Sequence, residues 1–281
     1  MPTLVEIIKK TEQFFRNKGI DSPRLDTELL IGAVLKLDRL QLYMKFDLPL
    51  NEEELHEIRA VVRRRGNREP VAYILQEKSF YAHEFYVETG VLCPRPDTET
   101  LVVQALNHIP KDEEFFIADV GTGTGCVGLS IAVEREKAKL YCTDISDVAL
   151  RCTKKNVQQL ELQTRVAVLK GPYLDPIPMD RKIDMLVSNP PYIPSRDIEA
   201  LEPEVQQFEP RLALDGGKDG LSCYRALALH ARNRKIPIVL VEIGIGQQQE
   251  VRSLFQKNGY DKINTHNDLR GIPRVLVACN H

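Results

Sequence analysis

The sequence predicts an α/β protein, with a small helical bundle followed by a larger domain built on a mostly parallel β-sheet. Three observations support this fold class. Residues 1–66 repeat apolar side chains at helical spacing, residues 115–279 alternate apolar strands with helical segments, and the first of these strands runs into a glycine-rich loop. The chain has 281 residues, which is enough for a medium domain plus a small one.

The composition is that of an ordinary globular protein. Hydrophobic residues make up 43% of the chain and charged residues 28%, while the formal net charge of −2 weighs against a long nucleic acid as the main partner. The apolar runs are far shorter than the roughly 18 residues of a membrane span. Residues 1–4 lack the basic stretch and apolar core of a signal peptide. We therefore expect a cytoplasmic protein with no membrane partner.

The cysteines and histidines predict neither disulfides nor a metal site. None of the six cysteines is spaced as C-x-x-C, and most stand in apolar surroundings. The six histidines are scattered, and none has metal-ligand spacing with a cysteine. We expect reduced core thiols, as in a cytosolic protein, and no bound metal.

The first 66 residues carry three helix-start signals, which are Thr3 with Glu6, Ser22 with Pro23, and Asn51 with Glu54. The last of these helices is predicted to end near Gly66. Its basic end, residues 63–65 with Arg68, is interpreted as a solvated helix terminus that suits the negative end of the helix dipole; the alternative is contact with a ribosomal or acidic partner. The bundle has two open interpretations, a substrate-docking module and a solubilising cap.

The segment that follows the bundle is predicted to be a β-hairpin linker. Two short β-like runs, residues 81–87 and 91–93, flank the turn signal Thr89-Gly90. This divides the chain into a bundle at 1–78, a linker at 79–93 and the larger domain at 94–281.

The larger domain opens with Pro-Arg-Pro-Asp-Thr-Glu at residues 94–99. The two prolines fix the start of a helix, and Asp97 or Thr98 is expected to cap it. The charged side chains of Arg95, Asp97 and Glu99 are expected either to pair structurally or to line a pocket.

Strands are predicted at 115–120, 139–143, 166–169, 183–187, 238–243, 260–265 and 274–279. Helical segments lie between most of them, including 146–160 and 221–232, so the sheet is expected to be mostly parallel. The last two strands are separated by a loop too short for a parallel crossover. We therefore expect that pair to be antiparallel.

The first strand ends in a loop formed by Gly121, Thr122, Gly123, Thr124 and Gly125. Glycines at alternate positions allow a tight turn and a close approach of a ligand to the backbone. The dinucleotide fingerprint needs glycine or alanine where this chain has Cys126. The loop therefore argues against a pyrophosphate cofactor.

Asp144 ends the next predicted strand and should lie at the same edge of the sheet. A carboxylate in this position can accept both ribose hydroxyls of an adenosine group. The alternative is that Asp144 or Ser146 caps the following helix. Strand order, loop and spacing together favour ribose binding.

Asn189, Pro190, Pro191 and Tyr192 follow a buried apolar strand. The prolines have no N–H and restrict the backbone, so this segment offers mainly hydrogen-bond acceptors. We call Asn189 Oδ1 and the Pro190 carbonyl the acceptor pair, since together they can hold both hydrogens of a planar amino group. The Tyr192 ring can stack on that group. The alternative is a simple turn after a strand.

Six segments carry a family resemblance: 69–74 (Glu-Pro-Val-Ala-Tyr-Ile), 94–99, 121–125, 189–192, 208–217 (Phe-Glu-Pro-Arg-Leu-Ala-Leu-Asp-Gly-Gly) and 219–221 (Asp-Gly-Leu). In this combination the chain closely resembles the release-factor glutamine methyltransferases, the PrmC/HemK family, over nearly its whole length. The Asn-Pro-Pro-Tyr motif alone is shared with DNA amino methyltransferases.

The resemblance implies a helical bundle, a hairpin linker and a Rossmann-like class I methyltransferase domain. It implies methyl transfer from S-adenosylmethionine to the N5 amide nitrogen of the Gly-Gly-Gln glutamine in peptide-chain release factors, which modulates translation termination. The product would be S-adenosylhomocysteine, and the protein would act as a monomer. Loop 121–125 and Asp144 would hold the cofactor, with Tyr173 near the adenine and Asn189 touching both cofactor and glutamine.

The expected chemistry is direct in-line transfer without a covalent enzyme intermediate. Asn189, Pro190 and Tyr192 are the candidate catalytic residues, and the whole segment 189–192 is expected to bind the substrate. No histidine is assigned as a general base, because the amide proton becomes acidic only after methylation. Glu99 and Glu209 are expected to be structural or to line the pocket.

Two other functions remain open at the level of sequence. One is an adenine-N6 or cytosine-N4 DNA methyltransferase that flips its target base onto Tyr192, although the net charge of −2 argues against it. The other is a non-catalytic assembly factor that binds adenosine. The presence of both Asn189 and Asp144 argues against this second function, because a pure binder has no use for the acceptor pair.

Overall fold

The computed structural model describes residues 1–280, which form two compact units. The bundle unit comprises Met1–Glu77 and Pro203–Phe208, and the sheet unit comprises the remainder of the described chain. In the described chain, no helix is both long enough and apolar enough to cross a membrane.

The helices are α1 (Leu4–Asn17), α2 (Pro23–Leu35), α3 (Arg39–Met44), α4 (Glu52–Gly66), α5 (Val71–Leu75), α6 (Glu99–Leu106), α7 (Cys126–Glu134), α8 (Asp147–Gln159), α9 (Pro203–Phe208), α10 (Ser222–Asn233) and α11 (Gln248–Lys257). The strands are β1 (Glu77–Phe80), β2 (His83–Tyr86), β3 (Phe115–Val120), β4 (Ala138–Asp144), β5 (Val166–Lys170), β6 (Met185–Ser188), β7 (Ile238–Glu242), β8 (Lys262–Asn267) and β9 (Pro273–Cys279).

The bundle unit confirms the predicted helix starts. The backbone N–H of Thr3 donates to Glu6 Oε2 at 3.1 Å, and the N–H of Asn51 donates to Glu54 Oε2 at 2.8 Å. Pro23 stands at the first position of α2. The short helix α3 was not predicted; Asp38 begins it with a capping box of its own.

The basic end of α4 is not uniformly solvated, so the sequence interpretation is wrong for Arg65. This side chain is buried in the bundle unit, where its Nε donates to Asp26 Oδ2 at 2.7 Å and its Nη1 donates to Glu204 Oε1 at 3.1 Å. Arg64 instead pairs with Glu69 at the surface. Two carboxylates compensate the buried guanidinium, which a helix-end pattern cannot reveal because Glu204 lies far away in sequence.

The predicted hairpin exists but is displaced toward the N-terminus. Its strands are β1 and β2, so the turn falls at Tyr81 and Ala82 and not at Thr89-Gly90. Tyr81 adopts a φ of 55°, a left-handed conformation that sequence rules assign mainly to glycine and asparagine. Residues 88–91 form a separate turn, closed by a bond from Val91 N to Glu88 O at 3.3 Å.

The sheet unit holds a seven-stranded sheet with the order β5-β4-β3-β6-β7-β9-β8. Strand β3 pairs in parallel with β4 on one side and with β6 on the other, and β9 is antiparallel to both β7 and β8. This confirms a mostly parallel sheet with an antiparallel C-terminal strand. One apolar cluster includes residues of α6, α7 and α8, and a second includes residues of α10 and α11. The carboxyl ends of β3, β4 and β6 therefore meet at one edge.

Candidate active site

A pocket of about 290 Å³ lies at the carboxyl ends of these parallel strands and is lined entirely by the sheet unit. The predicted site residues that line it are Gly121, Thr122, Gly123, Thr124, Asp144, Tyr173, Asn189, Pro190 and Pro191. Two predicted residues, Gly125 and Tyr192, are not among its lining residues. Loop, acidic residue and acceptor pair thus meet in one cavity, the usual ligand position in an open α/β sheet.

The first and last glycines of the loop have different roles. Gly121 has a φ of 68°, and a Cβ placed there would meet no atom within 4 Å. Gly125 has a φ of 83° and begins α7, and a Cβ placed there would lie only 2.8 Å from Leu129 Cδ1. The first glycine therefore faces open space, whereas the last allows close packing of α7.

Asp119 anchors this loop through hydrogen bonds. Its carboxylate is buried and accepts bonds from Thr122 Oγ1 at 2.7 Å and from Gly128 N at 3.1 Å. Burial raises the pKa of Asp119 to about 6, and the two hydrogen bonds oppose that shift. Sequence reasoning did not identify this residue, although an acidic side chain near the end of an apolar strand and just before a glycine loop is a readable signal.

Asp144 ends β4 with both carboxylate oxygens facing backbone donors. Gly123 N donates to Oδ2 at 3.0 Å, and Ser146 N donates to Oδ1 at 2.9 Å. The cap of α8 is Ser146, whose Oγ accepts from Ala149 N, so the capping alternative does not apply to Asp144. Burial raises the pKa of the Asp144 carboxyl, and the backbone donors oppose that shift. A carboxylate offers about four acceptor sites, so Asp144 can accept a further donor.

Tyr173 lies on the pocket wall in a strained conformation. Its φ is 49°, and its backbone carbonyl accepts a bond from Thr143 Oγ1 at 2.7 Å. The ring stacks on His230 with centroids 5.1 Å apart and an interplanar angle of 28°. Burial raises the pKa of its phenol to about 12, so the ring is neutral at ordinary pH. Tyr173 and Asp144 therefore line the same pocket.

Asn189 follows β6 and lines the pocket next to the buried Pro190. Its Nδ2 donates to Thr98 Oγ1 at 3.1 Å. Because Nδ2 is engaged with Thr98, the other end of the amide, Oδ1, is directed away from this partner. The pairing of Oδ1 with the Pro190 carbonyl as acceptors for one amino group stays a prediction.

Tyr192 is half-buried behind the pocket wall. Its hydroxyl donates to Glu242 Oε1 at 3.2 Å, and a Cβ at Gly244 would lie 3.0 Å from its ring. Burial raises the pKa of its phenol, and the nearby Glu242 carboxyl raises it further. Stacking of this ring on a substrate stays a prediction. Glu242 was missed at the sequence level, although an acidic residue ending an apolar strand pointed to it.

The charged residues after the hairpin are mostly engaged with other parts of the sheet unit. Arg95 Nη2 donates to both oxygens of the buried Glu209 carboxylate, at 2.7 and 2.8 Å, and Arg95 also lines the pocket. Glu99 accepts a bond from Tyr81 N at 2.9 Å. Thr98 precedes α6 but makes no capping bond with its side chain. The expected structural pairing is thus observed for both glutamates, while Arg95 also reaches the cavity.

Within residues 1–280, no cluster of three or more His, Cys, Asp and Glu side chains is arranged to hold a metal ion. The cysteines of this part of the chain are free thiols, and four of them are buried. The pocket thus offers backbone donors, carboxylates and neutral acceptors.

Both the N-terminal part of the chain and the part that follows it match known protein families. Residues 6–75 match a family model described as the PrmC N-terminal domain, and residues 84–208 match the methyltransferase small domain. The chain is 40% identical to a release factor glutamine methyltransferase of Geobacter sulfurreducens over 98% of this chain and 95% of the relative. It is 37% identical to a protein of the same name from Caulobacter vibrioides, over 98% and 96% of the two chains.

Solved structures support the fold alone, because their sequences are distant. The human METTL16 catalytic domain in complex with MAT2A 3'UTR hairpin 6 aligns with a TM-score of 0.58 at 15% identity, covering 70% of this chain and 76% of that one. The N-terminal domain of human METTL16 in complex with SAH aligns with a TM-score of 0.51 at 15% identity, covering 84% and 86%.

Proposed function

Because this chain belongs to the release factor glutamine methyltransferase family, we propose that it methylates the side-chain amide nitrogen, N5, of a glutamine in peptide-chain release factors. The methyl donor is S-adenosylmethionine and the product is S-adenosylhomocysteine. The glutamine is that of the Gly-Gly-Gln motif. The observation that carries the proposal is that Asn189 and Pro190, which supply the neutral acceptor pair, line the same pocket as the glycine loop and Asp144.

The residues around the pocket fit an adenosine-containing cofactor. Gly121 leaves open space over the loop, and the Asp144 carboxylate keeps acceptor capacity for the ribose. The Tyr173 ring supplies an aromatic wall for the adenine. When bound, S-adenosylmethionine supplies an electrophilic methyl group on a positively charged sulfur.

The protein's own task is to hold a poor nucleophile in line with that methyl group. The acceptor pair takes both N–H hydrogens of the glutamine amide, which fixes its plane and reduces delocalisation of the nitrogen lone pair. Neutral oxygen dipoles also stabilise the positive charge that develops on nitrogen. The proton becomes acidic only after the methyl arrives, so the step needs no general base at its start.

A nucleic-acid amine is the second substrate class that an acceptor pair suits. The net charge of −2 favours the protein substrate, because duplex binding relies on Lys and Arg contacts to phosphates. We therefore propose that the chain takes no nucleic-acid substrate, and that it works as a cytoplasmic monomer.

We assign release-factor docking to the bundle unit. Helix α3 presents apolar side chains to solvent, with Leu40 68% and Met44 76% exposed. Exposed apolar side chains grouped on one short helix are typical of a protein-binding surface. Such a surface would recognise the folded release factor outside its Gly-Gly-Gln motif.

The activity is tested by incubating the full chain with isotopically labelled S-adenosylmethionine and a purified release factor. Mass spectrometry is expected to find one methyl group on the motif glutamine. A release factor with that glutamine replaced by alanine should remain unlabelled. Labelling of duplex DNA in place of the release factor would contradict the proposed substrate.

The docking role predicts that intact release factor and a short Gly-Gly-Gln peptide respond differently to the same variant. Replacing Leu40 and Met44 together with serine should raise KM for the release factor by about tenfold or more. The rate with the peptide should not change. Leu229→Ser, which alters an apolar side chain 49% exposed in the sheet unit, is the matched control. Equal KM values for all three proteins would refute docking through α3.

A further inference from the structure

Behind the acceptor pair, a short chain of hydrogen bonds leads away from the pocket. Asn189 Nδ2 donates to Thr98 Oγ1 at 3.1 Å, and hydrogen bonding from the Thr98 side chain lowers the pKa of the Glu242 carboxyl. The Tyr192 hydroxyl donates to the same carboxyl at 3.2 Å. Thr98 lines the pocket, whereas Glu242 does not. Thr98 thus stands between Asn189, which lines the pocket, and Glu242, which is not among the lining residues.

Glu242 is buried, although burying a carboxyl costs free energy. Only 2% of the residue is exposed, and within the described chain its Oε2 has no hydrogen-bond partner. It stands at the end of β7, directly after Val241, which pairs with Ser188 next to Asn189. A buried carboxyl with an unpartnered oxygen is unfavourable, and natural structures keep few such groups. Its position beside Asn189 indicates a role in the site.

A carboxylate is the side chain that fixes the direction of these bonds. When ionised, it only accepts hydrogen bonds, so both hydroxyls must point their hydrogens toward it. Thr98 Oγ1 then has only lone pairs left for Asn189, and therefore only the Nδ2 end of the amide can face it. If the Asn189 amide were flipped, its NH2 group would face the N–H groups of the substrate amide. Two sets of hydrogen-bond donors would then oppose each other.

Charged side chains act on Glu242 and pair with Asp97, the neighbour of Thr98 in the chain. Arg274 is buried and its positive charge faces Glu242, while its Nη2 lies 3.4 Å from Asp97 Oδ2. Arg270 also pairs with Asp97. Burial raises the pKa of Glu242 to about 7, an effect that the Thr98 and Tyr192 hydroxyls and Arg274 oppose and that Asp97 reinforces. Near pH 8 the carboxyl is therefore mostly ionised.

We propose that Thr98 and Glu242 are positioning residues for amide methylation, which act by holding Asn189 Oδ1 toward the substrate. This inference rests on the proposed function, because the orientation of Asn189 matters only if Asn189 accepts a hydrogen bond from the substrate amide. Neither residue touches the reacting atoms. Their effect reaches the reaction only through the Asn189 side chain.

The test compares variants at about pH 8.5 by single-turnover methylation at saturating cofactor. Thr98→Val keeps the side-chain shape but removes the hydroxyl, and it should slow transfer roughly tenfold or more. Thr98→Ser restores the hydroxyl and should recover most of the rate. Thr265→Val, which removes a buried hydroxyl of β8 that lacks a hydrogen-bond partner, is the matched control and should retain the wild-type rate.

A double-mutant cycle separates positioning from general damage. In an Asn189→Ala background, Thr98→Val should have almost no further effect, because the group it orients is already missing. Losses that simply multiply would overturn the proposal. Glu242→Gln gives the same cycle with an isosteric side chain, so the test stands even if Thr98→Val folds poorly.

The outcome also separates this inference from the proposed function. Wild-type protein that leaves the release factor unmethylated contradicts the function itself. Wild-type protein that methylates it, with unchanged rates in Thr98→Val and Glu242→Gln, contradicts only the positioning role.

Discussion

Asp144 provides the most direct test of how the cofactor is held. In Asp144→Ala the ribose loses both acceptors, and the N–H groups of Gly123 and Ser146 lose theirs as well. Asp144→Asn keeps the volume, but its NH2 group must oppose one of these two N–H donors. Both variants are therefore expected to bind S-adenosylmethionine more weakly, with Ala also loosening the loop.

The size of the effect follows from the bonds that are removed. Hydrogen bonds to a charged group contribute about 1.5–3 kcal/mol. The expected loss corresponds to roughly a tenfold to 150-fold increase in Kd. Loosening of the glycine loop adds to this loss, so tenfold is the lower limit that the structure predicts for Asp144→Ala.

Titration calorimetry with S-adenosylhomocysteine measures this Kd without turnover. Asp147→Ala is the matched control, because it removes the same charge from an exposed position where the carboxylate pairs with Lys170. The control should bind like the wild type. A folded Asp144→Ala protein with unchanged Kd would refute the assignment of Asp144 to the ribose.

Two further predictions concern stability. Because the folded-state pKa of Glu242, about 7, lies above its ordinary value of 4.5, its stabilising effect is complete below pH 4.5 and is lost as the pH rises toward 7. Wild type should therefore lose up to about 3 kcal/mol relative to Glu242→Gln between pH 4 and 8, measured by urea unfolding; parallel pH profiles would contradict this. Gly125→Ala and Gly246→Ala replace glycines with the same φ of 83°, but only the first brings a Cβ within 2.8 Å of Leu129. Gly125→Ala should be the less stable of the two by about 1–3 kcal/mol, and equal thermal stabilities would argue against close packing at this point.

The parallel sheet was predictable because its signal is local. Apolar runs of strand length, separated by helical segments, located all seven strands of the large sheet to within a few residues, for example β3 at Phe115–Val120. The direction of β9 followed from the length of the loop before it. Chain order and loop length alone determine these features.

The hairpin and the short helix α3 were harder to predict, for different reasons. The turn uses Tyr81 at positive φ, whereas the stronger turn signal, Thr89-Gly90, forms a separate bend whose glycine lines the pocket. Helix α3 has only 6 residues, too few for a helical period to be recognised.

The candidate site likewise has parts that local sequence patterns predict and parts that they do not. The glycine loop, Asp144 and Asn189 come from local motifs, and the pocket brings them together. The bonds from Asn189 to Thr98 and from Tyr192 to Glu242 join residues 91 and 50 positions apart. Pairs so distant in sequence leave no local pattern, which is why the support behind the acceptor pair became visible only in the structure.

The central claim is that Asn189 orients the glutamine amide as a neutral acceptor and does not act as a base. It is tested most directly by single-turnover transfer to release factor at saturating S-adenosylmethionine. Asn189→Ala removes the acceptor and should slow transfer by about 10²-fold or more, whereas Asn189→Asp still accepts an N–H and should keep more activity. Near-wild-type transfer by Asn189→Ala would contradict the claim and leave Asn-Pro-Pro-Tyr as a structural turn.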